Sequence, residues 1–212
     1  MEVSKEGSPK GEVLTPAILT WLFRDEYFKR YNPLDDFSCM VAAALFTLEN
    51  DGHISLRVDK RGKLLKKEVL VITKKSRFDH RKYGYLSFKI SKLPLGGEMT
   101  VYDLVFKPEK KEKWDAPSIY LKEDILTTDL DMKTWAYLLG KPDENSIPIF
   151  LFREPHNKFM KEVKKDRLEP YREQALKLKE IFDSYVSRSK KLLKIIDRQC
   201  LDAFYDMKIP EW

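Results

Sequence analysis

The chain is poor in the residues that most often carry chemistry: two cysteines and three histidines in 212 residues. Cys39 and Cys200 cannot make a zinc site alone, and they give no disulfide framework. A reducing, cytoplasmic compartment is the expectation. His53, His80 and His156 stand in no His-x-x-x-His or Glu-x-x-His arrangement, so spacing gives a metal no support. Glycine is scarce too, at eight residues. Neither the G-x-x-x-x-G-K-[ST] nor the G-x-G-x-x-G phosphate cradle occurs, and no G-x-S-x-G nucleophile elbow is present. No apolar run approaches the roughly 18 residues of a membrane span. The opening MEVSKEGSPKGEV lacks the apolar core of a signal peptide. Cys39 lies in an apolar helical stretch and reads as core. The carboxylate pairs Asp35-Asp36 and Glu123-Asp124 sit near helix starts, where capping accounts for them. The expectation is a protein that is not an enzyme, with no catalytic, cofactor or metal residues.

What the chain has is charge. Charged residues make up 35%, against an ordinary quarter or so. The net charge of +6 is unevenly spread. Residues 1–56 carry −4, 57–89 carry +9, 90–150 carry −3 and 151–212 carry +4. A local excess of that size attracts phosphates, anionic headgroups or acidic proteins. The candidate contact residues are Lys60, Arg61, Lys63, Lys66 and Lys67, followed by Lys74, Lys75, Arg77, Arg81 and Lys82. Phe78 and Tyr83 interleave with the second set, a pattern suited to insertion at an interface.

Apolar residues reach 42%, enough for a sizeable core. Residues 1–13 read as a loose arm. Thr15 with Pro16 signals a helix start, and Asn32-Pro33 repeats the signal. The second helix is apolar throughout (Phe37, Met40, Val41, Ala44, Leu45, Leu48) and is stopped by Asn50-Asp51-Gly52. Ile54, Leu56 and Val58 alternate with polar neighbours. The turn Asp59-Lys60-Arg61-Gly62 leads to a strand over 68–73 centred on Val69 and Val71, so a hairpin with a basic tip is expected. Helix, helix and hairpin make a winged-helix-like unit over 14–84. Residues 85–155 read as a mixed segment: 85–93 fits strand or helix, 117–126 and 131–139 read as helices, and 147–152 as a buried strand. The region 156–212 is helical. From Tyr171 a 4-3 apolar spacing predicts one helix from about 170 to 207, packed along its own domain or paired with a partner helix. The fold class is therefore mainly α with a small β component.

The run LTPAILTWLF followed by FSCMVAAALFTLENDGHISL and a basic hairpin carries a resemblance over residues 13–73. It resembles the winged-helix-like cytosolic domain of a family of bacterial and archaeal membrane proteins of unknown function. In that family a Ser/Thr-Pro-Ala start precedes a helix that turns into a strand through Leu-Ala-x-x-Gly-Tyr. Here Thr15-Pro16-Ala17 and Leu48-Glu49-Asn50-Asp51-Gly52-His53 take those places. More faintly, Cys39-Met40 resembles the helix opening of the Golgi phosphoprotein family, adaptors that bind phosphatidylinositol 4-phosphate. That family's lipid-contacting arginine is matched by Phe37 and its upstream tryptophan falls near Lys29, so its lipid site is not carried over.

The function expected is a non-catalytic adaptor or assembly module whose basic hairpin and loop contact an anionic surface, peripheral membrane or acidic partner. The alternative is a winged-helix nucleic-acid-binding protein making backbone contacts. Against that alternative, residues 34–49 hold Asp35, Asp36 and Glu49 but no Lys or Arg, unlike a recognition helix.

Overall fold

A computed structural model of the chain describes residues 13–31, 36–62, 67–106 and 117–208. It is mainly α with one three-stranded antiparallel sheet. Helix α1 (Pro16–Leu22) starts where local chemistry sets it, with Thr15 accepting from the Ile18 N–H and Pro16 in the first turn. A π-type turn (Arg24–Phe28) and a 3₁₀ turn (Lys29–Tyr31) follow. The Asn32-Pro33 signal and Asp35 lie outside the described residues. Helix α2 (Asp36–Asn50) buries eleven of its fifteen residues, the pattern of a helix enclosed by other elements. It ends on Gly52 at φ +76°, where the His53 N–H bonds back to the Leu48 carbonyl; a left-handed residue there favours glycine.

The hairpin pairs β1 (Ile54–Arg61) with β2 (Lys67–Lys74), in a register running from Ile54↔Lys74 to Arg61↔Lys67. The turn thus falls after Arg61, later than the sequence places it. The face toward the core is Ile54, Leu56, Leu70 and Ile72. Val69, expected at the strand centre, is half-buried with its partner Asp59 on the opposite face. The apolar run Val-Leu-Val-Ile hides its own phase, so period two cannot choose the inner pair.

The ambiguous stretch is helix α3 (Tyr85–Lys92). Strand β3 (Glu98–Thr100) pairs with Val71–Thr73 and runs into the short α4 (Val101–Val105), whose start carries a Thr100/Asp103 capping box. Then come α5 (Pro117–Asp129) and α6 (Met132–Leu139), the latter capped by Asp131. The expected strand over 147–152 is instead a 3₁₀ turn, Ile149–Arg153. Pro148 leads into it, and its burial does not alternate: Ile149 and Phe150 are both exposed, Leu151 and Phe152 both buried. Helix α7 (His156–Glu162) and a 3₁₀ stretch lead to α8 (Arg172–Arg188) and α9 (Lys190–Lys208).

A long C-terminal helix is present as α9, of 19 residues, but the expected span from about 170 to 207 is divided between α8 and α9 by Ser189 in an extended conformation (φ −162°, ψ 99°). Serines at 187 and 189 offer the backbone competing hydrogen bonds and weaken a helix there. The break lets α8 lie on α2 while α9 crosses β2 and α4. The 4-3 positions Tyr171, Ala175, Leu178, Phe182, Tyr185, Ile196, Gln199 and Ala203 are all buried in the chain's own core. The buried apolar cluster runs from Leu14 to Phe204, so elements from all three expected segments share it.

Helix α9 also completes the sheet. Residues 68, 70, 72 and 74 of β2 present their backbone groups toward the β3 side. Lys74 exchanges bonds with Gly96 and Gly97, and β3 pairs over residues 71–73. Beyond β3, Gln199 Oε1 accepts from the Leu70 N–H at 2.7 Å and the Arg198 guanidinium donates to the Glu68 carbonyl. Two helix side chains thus replace a missing strand.

Candidate anion-binding surface

The loop between β2 and α3 is held from beneath. The N–H groups of Lys75 and Ser76 donate to the His53 carbonyl at 2.8 and 3.2 Å. The Ser76 hydroxyl meets His53 Nδ1 at 2.7 Å. The rings of His53, Phe78 and Tyr83 pack mutually, with centroids 5.2, 5.4 and 5.6 Å apart. The Tyr83 hydroxyl donates to Asp51 at 2.7 Å, and burial with that bond pushes its pKa well up. Asp79 accepts from the Arg81 N–H and starts the 3₁₀ turn His80–Lys82. Because Ser76, Phe78 and Tyr83 turn inward, Lys75, Arg77, Arg81 and Lys82 are left exposed. None of these four has an ion-pair partner among the described residues. The aromatic residues read from sequence as interfacial are thus the loop's internal support.

The hairpin differs. Arg57 donates to both Glu98 oxygens at 3.0 and 2.9 Å. Arg61 lies 3.8 Å from Asp59 and 3.9 Å from Glu98. Lys67 is 3.6 Å from Asp202. Lys191 holds the Glu68 carboxyl below its usual range. Lys60 is exposed and makes no close ion pair among the described residues, though it faces Glu68 across the hairpin and helps lower that carboxyl's pKa, while Lys63 and Lys66 lie outside them. Lys74 does not belong to a surface at all. It is 6% exposed, and its ammonium donates to the Ser91 and Leu93 carbonyls at 2.5 and 2.7 Å. The register sets Lys60 and the loop at opposite ends of the hairpin, roughly 20 Å apart at about 3.3 Å per residue.

Lys74 is one of three lysines that close helix ends from another element. Lys89 donates to the Asp103 and Phe106 carbonyls at the C-terminal end of α4. Lys122, 8% exposed, donates to the Arg153 and Glu154 carbonyls after the 3₁₀ turn. Burial lowers the pKa of both. Part of the positive charge therefore satisfies orphan carbonyls. Net charge along the sequence carries no signal for that use.

A cleft of about 190 Å³ borders the loop, lined by His80, Arg81, Gly84, Tyr85, Phe88, Thr128 and Asp129. Asp129 accepts from the Thr15 hydroxyl at 3.0 Å and the Tyr85 N–H at 2.5 Å, joining the starts of α1 and α3. Burial raises its pKa to about 7, the Thr15 bond opposing the shift. Gly84 (φ +86°) makes room, since a Cβ there would sit 2.0 Å from an Asp129 oxygen. Sequence reading missed this group because its members lie far apart in the chain.

The remaining residues with reactive side chains have structural surroundings. Cys39 and Cys200 are buried. His156 is buried against Trp21, its Nε2 2.8 Å from the Trp21 carbonyl, and burial lowers its pKa. His80 packs edge-on to Phe88 at 5.1 Å. Among the described residues no group of His, Cys, Asp or Glu could hold a metal, and no helix is long and apolar enough to cross a membrane. No family model, curated protein or solved structure matches the chain.

Proposed function

We propose that this chain is a non-catalytic interaction module that engages an anionic partner through the loop 75–84. The observation that carries this reading is the contrast in pairing. Arg57, Arg61 and Lys67 of the hairpin have acidic partners and Lys74 is taken up by backbone carbonyls, whereas Lys75, Arg77, Arg81 and Lys82 are exposed on a braced loop with no ion-pair partner among the described residues. Cations without acidic partners keep their field for a ligand, and a loop whose backbone is already braced loses little backbone entropy on binding.

Nucleic-acid binding is the second reading, favoured by the placement of Lys60 and the loop at the two ends of an extended hairpin. Contacts would then fall on backbone phosphates. A winged-helix unit is the finer description of 14–84 that goes with it. Two features weigh against base readout: α2 is enclosed, and the hairpin that would serve as a wing is tied to α9 through Glu68 and Leu70.

Reversing Lys75, Arg77, Arg81 and Lys82 together to Glu is expected to weaken binding to duplex DNA, RNA, phosphatidylserine vesicles or polyglutamate at low salt by tenfold or more, and to flatten the salt dependence. The thermal midpoint should move by no more than about 2–4 °C, because exposed unpaired charges contribute little to stability. Lys74→Met should do the opposite: lower the midpoint by stranding two carbonyls, yet leave binding within a factor of about two. Wild-type protein that binds none of the four probes at low salt would overturn the reading.

A further inference from the structure

We infer that the loop 75–84 and α3 together bind an acidic linear segment of another protein, one bulky apolar side chain of which enters the cleft beside Phe88. The inference rests on the reading of the loop as an anion-binding surface and specifies its partner.

The two elements lie side by side because both ends are tied. At one end Lys74 bonds to Gly96 and Gly97 through its backbone and caps the last carbonyls of α3 through its ammonium. At the other, Gly84 leads directly into α3, and Ser87 donates back to the His80 carbonyl at 2.9 Å. The loop therefore runs antiparallel to the helix. Along α3, Tyr85, Phe88 and Lys92 follow one another at helical spacing on the outer side. Phe88 is 45% exposed, a large apolar ring left in water. It contacts His80 on one side, and the Lys92 ammonium sits 4.9 Å from its centroid on the other.

The cleft opens beside this ring. Its walls are Tyr85, Phe88 and His80, with Arg81 also lining it. Asp129 brings an acid group whose oxygens accept from Thr15 and the Tyr85 N–H. A phosphate placed inside would lie against the Asp129 acid and the Tyr85 and Phe88 rings, with Arg81 as the lining cation, whereas an apolar side chain would cover Phe88 and leave the ligand's acidic groups to the loop. Beyond the cleft, with Arg81 at its edge, Lys82, Arg77 and Lys75 are spaced along the loop, complementary to acids spaced along an extended peptide. A flat bilayer does not reach into a concave site, and duplex DNA has no protruding side chain to place there.

The test uses the full chain and fluorescence anisotropy with an acidic peptide of about eleven alternating Glu and Asp residues. It carries Phe at its centre, and a second peptide carries Ala. The Phe peptide should bind at least tenfold more tightly. Phe88→Ser should remove that advantage, with far-ultraviolet circular dichroism unchanged. Arg77→Glu should weaken both peptides by the same factor. Equal affinity of the two peptides, or an advantage that survives Phe88→Ser, would overturn the inference while leaving the anion-binding reading intact. A Phe88-dependent preference for phosphatidylserine vesicles or duplex DNA over the Phe peptide would overturn it in favour of those partners. Failure of the wild-type chain to bind vesicles, nucleic acid and both peptides would remove the anion-binding reading itself.

Discussion

Phe182→Ala is expected to destabilise the chain by about 3–5 kcal/mol, the range for deleting a fully buried aromatic side chain. Phe182 is 0% exposed and sits among Phe28 at 5.2 Å, Tyr31 at 5.0 Å and Phe46 at 5.3 Å between ring centroids. One side chain on α8 thus joins α2 to the irregular turns after α1. Collapse of the cavity is opposed from two sides. Phe46 is stacked on Tyr185 at 4.2 Å. Tyr31 donates its hydroxyl to Asp183, and Lys179 holds Asp183 at 2.8 Å. Neither ring is free to follow the missing one. Urea unfolding followed by circular dichroism measures the loss. For a chain of this length it corresponds to a fall in the midpoint of about 6–20 °C. Leu176, 43% exposed on the same helix, is the control, and its replacement by Ala should change stability by no more than about 0.5 kcal/mol. A loss below 1 kcal/mol for Phe182→Ala would show that the ring cluster does not hold these elements together.

The second large effect is a dependence of stability on pH carried by Asp129. Its pKa is raised by burial from an ordinary carboxylate value to about 7. Between those values the native state holds a proton that the unfolded chain has released. Stability from this group is therefore fully present below about pH 4 and is lost as pH rises through 7. A displacement of about three pKa units corresponds to roughly 4 kcal/mol. His156 works in the other direction: burial lowers its pKa, so protonation of the unfolded chain destabilises the fold as pH falls below about 6.5. The informative quantity is thus the difference between wild type and Asp129→Asn. The amide can accept from the Tyr85 N–H and donate to Thr15, but it does not titrate. Relative to the variant, the wild type should lose several kcal/mol between pH 4 and pH 8. Parallel curves across that range would mean that the Asp129 carboxyl is not desolvated.

The parts of this fold that could be read from sequence are those written in local chemistry. Thr15-Pro16 starts α1, Asn50-Asp51-Gly52 ends α2, and Asp131 opens α6 because caps and left-handed glycines act within a few residues. Alternation found the hairpin but not its phase, since every residue from Val69 to Ile72 is apolar. The 3₁₀ turn over 149–153 is hidden because a short apolar run does not tell strand from turn, and the break at Ser189 because two serines are a weak signal inside an otherwise continuous apolar spacing. The heptad-like spacing pointed correctly to a buried stripe, and Gln199, out of place in an apolar seam, proves to be the acceptor for the edge of the sheet.

The basic loop was visible as charge. Its unpaired state was not, because pairing is non-local: Arg57 meets Glu98, Lys67 meets Asp202 and Lys191 meets Glu68. For the same reason sequence alone groups Lys74 with the surface, although the carbonyls it satisfies lie 17 and 19 residues away.

The covering of β2 by α9 also has a consequence for synthesis. Leu70 and the residue that accepts its N–H are 129 positions apart. At about 5–20 residues per second, the ribosome needs roughly 6–26 s to make that stretch. Throughout that interval the exposed groups at residues 68 and 70 form an open template for pairing with another chain. The nascent protein is thus prone to aggregate after its hairpin has emerged and before α9 has, an interval in which a holdase chaperone would have a large effect on yield.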